Sequence, residues 1–441
     1  MRTFLLIWAG QLVSMTGSAM TRFALLTWAY QQTGEATTVA LLGFFAFGAA
    51  VVFSPLGGIA ADRFDRRLVM LVADFGAGLM TLIMLLLYLA GGLEIWHLFV
   101  MEGLTGICES FQRPAYNAAT STMVDKSLYS RVSGLGNLAY YASIVVAPPL
   151  GGLVLGLSDL STVMLIDLLT FSAAWGTLLL VRIPPPKRSL EGTTASSSFF
   201  AELMFGFRYI LARRGLGLLA LVWVCINFIG SLTYLAVMPS MILARTGGDE
   251  MSLATVQSVL GIAGVVGALA VSVWSLGRRK IHSVLLAGAV SFLFGDFLMG
   301  TGQSVPAWVI GAFVSAFFIP IMLTADRTIW QLKVPQDIQG RVFSAAGVLR
   351  ESMMPLAFLV AGPLADRVFE PAMQPGGALA SAFGGLVGTG AGAGMGLMFV
   401  CTSALGAAVC LGGYLFPALR NVETDLPDHV TQELPAAAAA D

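Results

Sequence analysis

Twelve apolar runs, most of them longer than twenty residues, dominate this chain and limit what it can fold into. They lie at about 4–30, 38–61, 68–90, 95–119, 133–156, 160–181, 215–243, 253–276, 282–300, 306–330, 343–366 and 387–416. The second is typical: Val39 to Ala61 holds no charged side chain. A helix of about 20 apolar residues spans the hydrocarbon core of a bilayer, where backbone groups must be satisfied within the segment itself. The whole chain is 57% hydrophobic and only 11% charged. Soluble domains carry about a quarter charged residues. So little charge cannot cover a water-facing surface, and the chain reads as an all-α integral membrane protein.

Composition also excludes several functions. A net charge of −1 offers no basic face to a nucleic acid. Cys108, Cys225, Cys401 and Cys410 lie inside apolar runs without CxxC spacing, and His97, His282 and His429 are far apart. Neither a disulfide framework, a metal site nor a cofactor is indicated. With no histidine at mid-membrane, metal-dependent and Ser-His intramembrane enzymes are not expected. Gly384 to Gly396, GGLVGTGAGAGMG, lacks the Lys-Ser/Thr of a phosphate-binding loop, so an ATP-driven pump is not expected either. That segment reads as a flexible loop with close helix packing. Met1 to Trp28 starts with Arg2 and runs on apolar to Tyr30 without a small-x-small cleavage site, so it reads as a retained first helix.

Residues 183–214 interrupt the pattern. Pro184, Pro185 and Pro186 end a helix, because proline lacks the N–H and clashes with the preceding turn. A Ser/Thr-rich stretch follows, and Phe199 to Arg214 then alternates apolar and charged positions like a helix lying on a membrane surface. The expected organisation is a six-helix half over 1–182, a cytoplasmic linker over 183–214, a second six-helix half over 215–418 and a disordered tail over 419–441. Lysine and arginine set the topology. With the N-terminus in the cytoplasm, 18 of the 24 fall in inside segments, 2 outside and 4 within helices. Both termini are therefore expected in the cytoplasm, with the chain in the cell (cytoplasmic or inner) membrane. The halves also echo each other: MVDKSLYSRVSG (123–134) and KVPQDIQGRVFS (333–344) each place Arg-Val seven residues after a valine. GGIAADRFDRR (57–67) has its echo in WSLGRRK (274–280). Weak repeats between halves are a mark of transporters.

In GGIAADRFDRR, the charged residues Asp62, Arg63, Asp65, Arg66 and Arg67 crowd together between two helices almost free of charge. A positive-inside anchor explains the arginines but not the aspartates. The pattern G-x-x-x-D-R-x-x-R-R, Gly58 to Arg67, resembles the loop between helices 2 and 3 of the major facilitator superfamily, although many members have glycine where Asp65 stands. The twelve runs, the long linker and the degenerate second copy extend the resemblance over nearly the whole chain. It implies two pseudo-symmetric six-helix halves and a monomer. It also implies that Gly58, Asp62, Arg63, Arg66 and Arg67 latch the halves in the outward-open state. A second motif lies in GLGNLAYYASIVVAPPLGG (134–152). Superfamily members that exchange substrate for protons carry G-x8-G-x3-G-P-x2-G-G, matched here at Gly134, Pro148, Gly151 and Gly152, with Ser143 and Ala147 replacing two glycines. ADRFDRR (61–67), IDLLTFSAAW (166–175) and VPQDIQGRVFS (334–344) resemble the drug:proton antiporter branch that holds macrolide efflux proteins and the enterobactin exporter.

A charge at mid-bilayer costs about 2.5–3.5 kcal/mol on insertion scales, so such residues usually face a cavity. Glu109 and Arg113, four apart, share one face near the middle of the fourth run. A carboxylate poised between desolvation and an arginine can bind and release a proton as water access changes sides. The same pair, permanently ionised, merely stiffens its helix. Asp167 is either a second proton-coupling group or a bond between helices. Arg22 has no partner on its own helix, and Glu102, Glu109 and Asp167 are all open to it. Asp326-Arg327 and Arg350-Glu351, with Arg341, are gating candidates in the second half. These features point to a secondary active transporter, a proton-coupled exporter of an amphipathic or hydrophobic small molecule (drug, macrolide or siderophore-like) that works by alternating access. A major facilitator importer or a lysophospholipid flippase is the alternative on the same fold.

Overall fold

A computed structural model describes residues 2–125, 128–181, 199–273, 277, 279–335 and 338–428. Linker residues 183–198, tail residues 429–441 and the side chain of Asp62 lie outside what it describes. The first half consists of α1 (Arg2–Thr33), α2 (Ala36–Arg63), α3 (Arg66–Leu89), α4 (Ile95–Met123), α5 (Tyr129–Leu157) and α6 (Leu160–Leu180). After α7 (Phe199–Ala212) come α8 (Arg214–Thr246), α9 (Glu250–Val273), α10 (Lys280–Thr301), α11 (Val305–Lys333), α12 (Gln339–Met373), α13 (Ala380–Val387) and α14 (Ala393–Leu415). Two short helices, α15 (Pro417–Arg420) and α16 (Val422–Asp425), follow. Among the described residues there is no strand, and eleven helices are long and apolar enough to cross a membrane. The twelfth span is α4, less apolar because it carries Glu102, Glu109 and Arg113. Its 29 residues reach about 44 Å, ample for a bilayer. Leu169, Leu180 and Val273 are 70%, 84% and 90% exposed, as side chains facing acyl tails are.

Glycines let α2 and α4 approach closely. A Cβ on Gly57 would lie 1.9 Å from the Ser110 carbonyl oxygen, and one on Gly106 would lie 2.1 Å from that of Ala46. Aspartates start two helices. Asp65 accepts the Arg67 N–H at 2.8 Å and caps α3. Asp159 caps α6, accepting the Ser161 hydroxyl at 2.6 Å and the Thr162 N–H at 3.1 Å. The Ser161 hydroxyl, then the Thr162 N–H, hold its carboxyl below the usual range. Among the described residues three helices carry a π turn: Ser231–Leu235 in α8, Ser291–Asp296 in α10 and Ala365–Phe369 in α12.

The two halves meet on one face of the membrane and separate on the other. The face carrying both chain ends is here the termini face, and the opposite one the far face. Near the far face a single buried cluster bridges the halves, joining Phe23, Ala36 and Ala40 to Met241, Trp308 and Phe358. At the termini face the clusters belong to one half each: Ile7, Ala61, Met70 and Leu178 in the first, Leu216, Trp223, Leu285 and Ile329 in the second. Polar bonds follow the same division. Asp366, on the π turn of α12, accepts the N–H groups of Ala36 and Thr37 at 3.0 and 2.7 Å and so caps α2 of the other half. Gln31 donates to Glu250 at 2.6 Å. A negative cap at a helix N-terminus contributes about 1 kcal/mol. Asp366→Ala is therefore expected to shift the balance toward a conformation open at the far face by about fivefold. Spin-label distances between the far-face ends of α2 and α12 would show a longer component growing; an unchanged distribution contradicts the latch.

One expectation requires correction. The tail is not disordered from 419. Leu419 and Val422 are fully buried, and α15 and α16 pack beneath the second half. Lys333, only 3% exposed, donates to the carbonyls of Glu423 and Leu426 and pairs with Asp428 at 2.6 Å. Glu423 in turn accepts the Ile281 N–H at 2.9 Å. Two apolar anchors and a buried cation outweigh the acidic composition. Lys333→Ala is expected to free residues 421–428, seen as faster protease cleavage there and unchanged rates elsewhere. Identical digestion of both proteins contradicts this.

Candidate functional site

The polar centre of the first half is built between α1, α3 and α4. Gln112 on α4 donates to Gln11 on α1 at 3.0 Å, and Gln11 donates to Asp74 on α3 at 3.2 Å. Further along α1, the Arg22 Nη2 lies 2.7 Å from Glu109 Oε1, and its Nε lies 3.7 Å from Glu102 Oε2. Glu102 and Glu109 are two turns apart on α4, so one guanidinium is held between two carboxylates. Arg22 and Glu109 are 41% and 50% exposed, Glu102 only 9%. A half-exposed ion pair at this depth faces water rather than acyl chains. With all three groups ionised the cluster carries one surplus negative charge. A proton or a cationic substrate group neutralises it, which is the chemistry an exchanger needs.

The structure pairs Glu109 with Arg22 across helices rather than with Arg113 along α4. Arg113, one turn nearer the termini face, is exposed. Asp167 does not join the cluster. It is 3% exposed and takes the Ser18 hydroxyl at 2.9 Å on one oxygen and the Thr81 hydroxyl at 3.3 Å on the other, tying α6 to α1 and α3.

In the charged loop, Arg66 Nη1 donates to the Ala118 carbonyl of α4 at 2.8 Å. Arg67 donates to the Leu178 and Leu179 carbonyls at the end of α6, at 2.9 and 2.6 Å, where the helix dipole favours a cation. Both bond within their own half. Arg63 is exposed. Gly58 has open space around its Cβ position, so the close approach to α4 belongs to Gly57 instead. In α5, Gly134 likewise faces open space. Gly151 packs on α1, a Cβ there falling 3.2 Å from Phe23, while Gly152 faces Ala254 of the other half at 3.4 Å. Pro148 is buried beside them. Ser143, in a glycine position of the motif, bonds the Ala139 carbonyl at 2.9 Å and lies 3.3 Å from the Thr16 hydroxyl.

In the second half the chain-neighbour pairs are split. Asp326 pairs with Arg350 at 2.5 Å and accepts the Trp330 N–H at 3.0 Å. The Arg350 guanidinium sits 4.5 Å from the Trp223 ring centroid. Arg327 and Glu351 are exposed, and Arg341 stands 5.9 Å from the Phe205 ring of α7. Helix rotation puts successive residues about 100° apart, so Arg327 and Glu351 point away from the α11–α12 contact. The far-face partners Asp366, Gln31 and Glu250 carry no motif, and the sequence did not single them out.

Two helical halves, joined on one face, open on the other and holding a partly exposed ion cluster, define a membrane transporter. The chain belongs to the Major Facilitator Superfamily, whose family model matches residues 7–357. It is 24% identical to macrolide efflux protein A of Streptococcus pyogenes over 83% of this chain and 90% of that protein. It is 25% identical to the enterobactin exporter EntS of Shigella flexneri over 67% of this chain and 68% of that protein. In fold it is similar to the nucleoside transporter NupG, with a TM-score of 0.70 at 12% identity, covering 94% of this chain and all of that one.

Proposed function

We propose that this transporter is a proton-coupled exporter of amphipathic or hydrophobic small molecules, placed in the cytoplasmic membrane with its termini face toward the cytoplasm. The observation that carries this reading is the single guanidinium of Arg22 held between the half-exposed Glu109 and the buried Glu102. The macrolide and enterobactin exporters among its relatives support the direction and the substrate class. With that orientation the cluster opens toward the cytoplasm, and a substrate enters from that side. Release of the Asp366 cap and the Gln31–Glu250 bond opens the far face. Glu109 then takes up a proton from the outer medium as the substrate leaves, and the return step releases that proton inside, where the next substrate displaces it. In the far-open state Arg66 and Arg67, near Asp62, close the termini face.

The test is efflux of a preloaded panel of fluorescent amphipathic dyes from cells lacking their own pumps. Expression is expected to speed loss of at least one dye, and a protonophore to abolish that gain. Efflux that persists with the protonophore removes proton coupling. Faster accumulation instead of loss reverses the direction.

A further inference from the structure

The second half contains a buried acid that the mechanism above does not use. Asp296 ends the π turn of α10 and is 1% exposed. Its Oδ1 accepts the Ser315 hydroxyl of α11 at 3.1 Å, and Ser315 in turn lies 3.3 Å from the Ser291 hydroxyl. No bond of normal hydrogen-bond geometry reaches its Oδ2 or the Tyr234 hydroxyl on the π turn of α8, although the two groups lie close enough to interact. Asp167 in the first half is different, since both its oxygens are bonded. The groups around Asp296 are neutral. Tyr234 is the titratable group that faces it, α14 brings only the thiols of Cys401 and Cys410 and no charged residue, and the nearest charge on α11, Asp326, is three turns from Ser315 and paired with Arg350. A carboxylate here would be buried without a counter-ion, which a protein avoids by taking up a proton. The unbonded oxygen and the unbonded phenol then complete each other as one hydrogen bond. Single π turns are costly interruptions that concentrate at functional sites, and here two of them flank one side chain.

We propose that Asp296 is a second proton-binding site, in the half opposite Glu109, with its proton shared with the Tyr234 hydroxyl. Its place one turn and a half from the far end of α10 makes the outer medium the side with which it exchanges. As a coupling group it rests on the proton-coupled reading above; as a binding site it does not.

The experiment is infrared spectroscopy of purified protein in lipid nanodiscs at neutral pH, in light and heavy water. Wild type minus Asp296→Asn is expected to show one carbonyl band of a protonated carboxylic acid, shifted by deuterium. Asparagine mimics the neutral acid in shape, so thermal stability is expected to stay near wild type. Tyr234→Phe keeps the acid and is expected to move its band to the frequency of a weaker hydrogen bond. A difference spectrum showing ionised carboxylate instead overturns the proposal. So does a band that Tyr234→Phe leaves in place. If the band is present while efflux ignores protonophores, the site stands and the coupling reading fails.

Discussion

Gly57→Ala is expected to leave little folded protein in the membrane, while Gly58→Ala, one residue on, accumulates at the wild-type level. A methyl group at 57 would sit 1.9 Å from a backbone carbonyl of α4, and nothing lies within 4 Å at 58. Overpacking a side chain typically costs about 1–3 kcal/mol. The obstacle here is helix backbone, which cannot rotate aside, so the two helices must part along the interface that places Glu102 and Glu109. Yield and thermal stability of fluorescent fusions, measured by size-exclusion chromatography, separate the two variants. Equal yields would contradict the packing.

Arg22→Ala is the second large effect. It leaves Glu102, 9% exposed, and Glu109 without their cation. Removing one member of a buried pair costs about 3–5 kcal/mol. Glu109 is half exposed and its share is screened, so the burden falls on Glu102. Efflux is expected to drop at least about tenfold, the equivalent of roughly 1.4 kcal/mol. Adding Glu102→Gln to Arg22→Ala is expected to restore protein yield without restoring efflux, because the stray charge is gone but the exchange site is not. Additive losses in the double variant would mean that the residues act separately.

Much of this could be read before any coordinates. The helices, the division into halves and the charged loop follow from apolar length and from the placement of arginine, both local properties of a membrane chain. Partner choice was less accessible. Arg113 is the neighbour of Glu109 in sequence, but the α1–α4 crossing supplies Arg22. The same holds for Asp326, which takes Arg350 from the next helix rather than Arg327. That Gly57 rather than its neighbour meets α4 is set by the rotation of α2, which no motif records. The three π turns and the Asp366 cap are tertiary features that leave no periodic trace. The docking of residues 419–428 depends on Lys333, ninety residues earlier in the chain.

The most direct test of the exchange site uses everted membrane vesicles loaded with a pH-sensitive dye, to which a transported compound from the panel is added. Substrate added to wild-type vesicles holding an acid interior is expected to make that interior alkaline as protons leave in exchange, and Glu109→Gln is expected to abolish both proton movement and uptake. Uptake by Glu109→Gln with wild-type proton movement would contradict the account, because the proton would then be carried elsewhere.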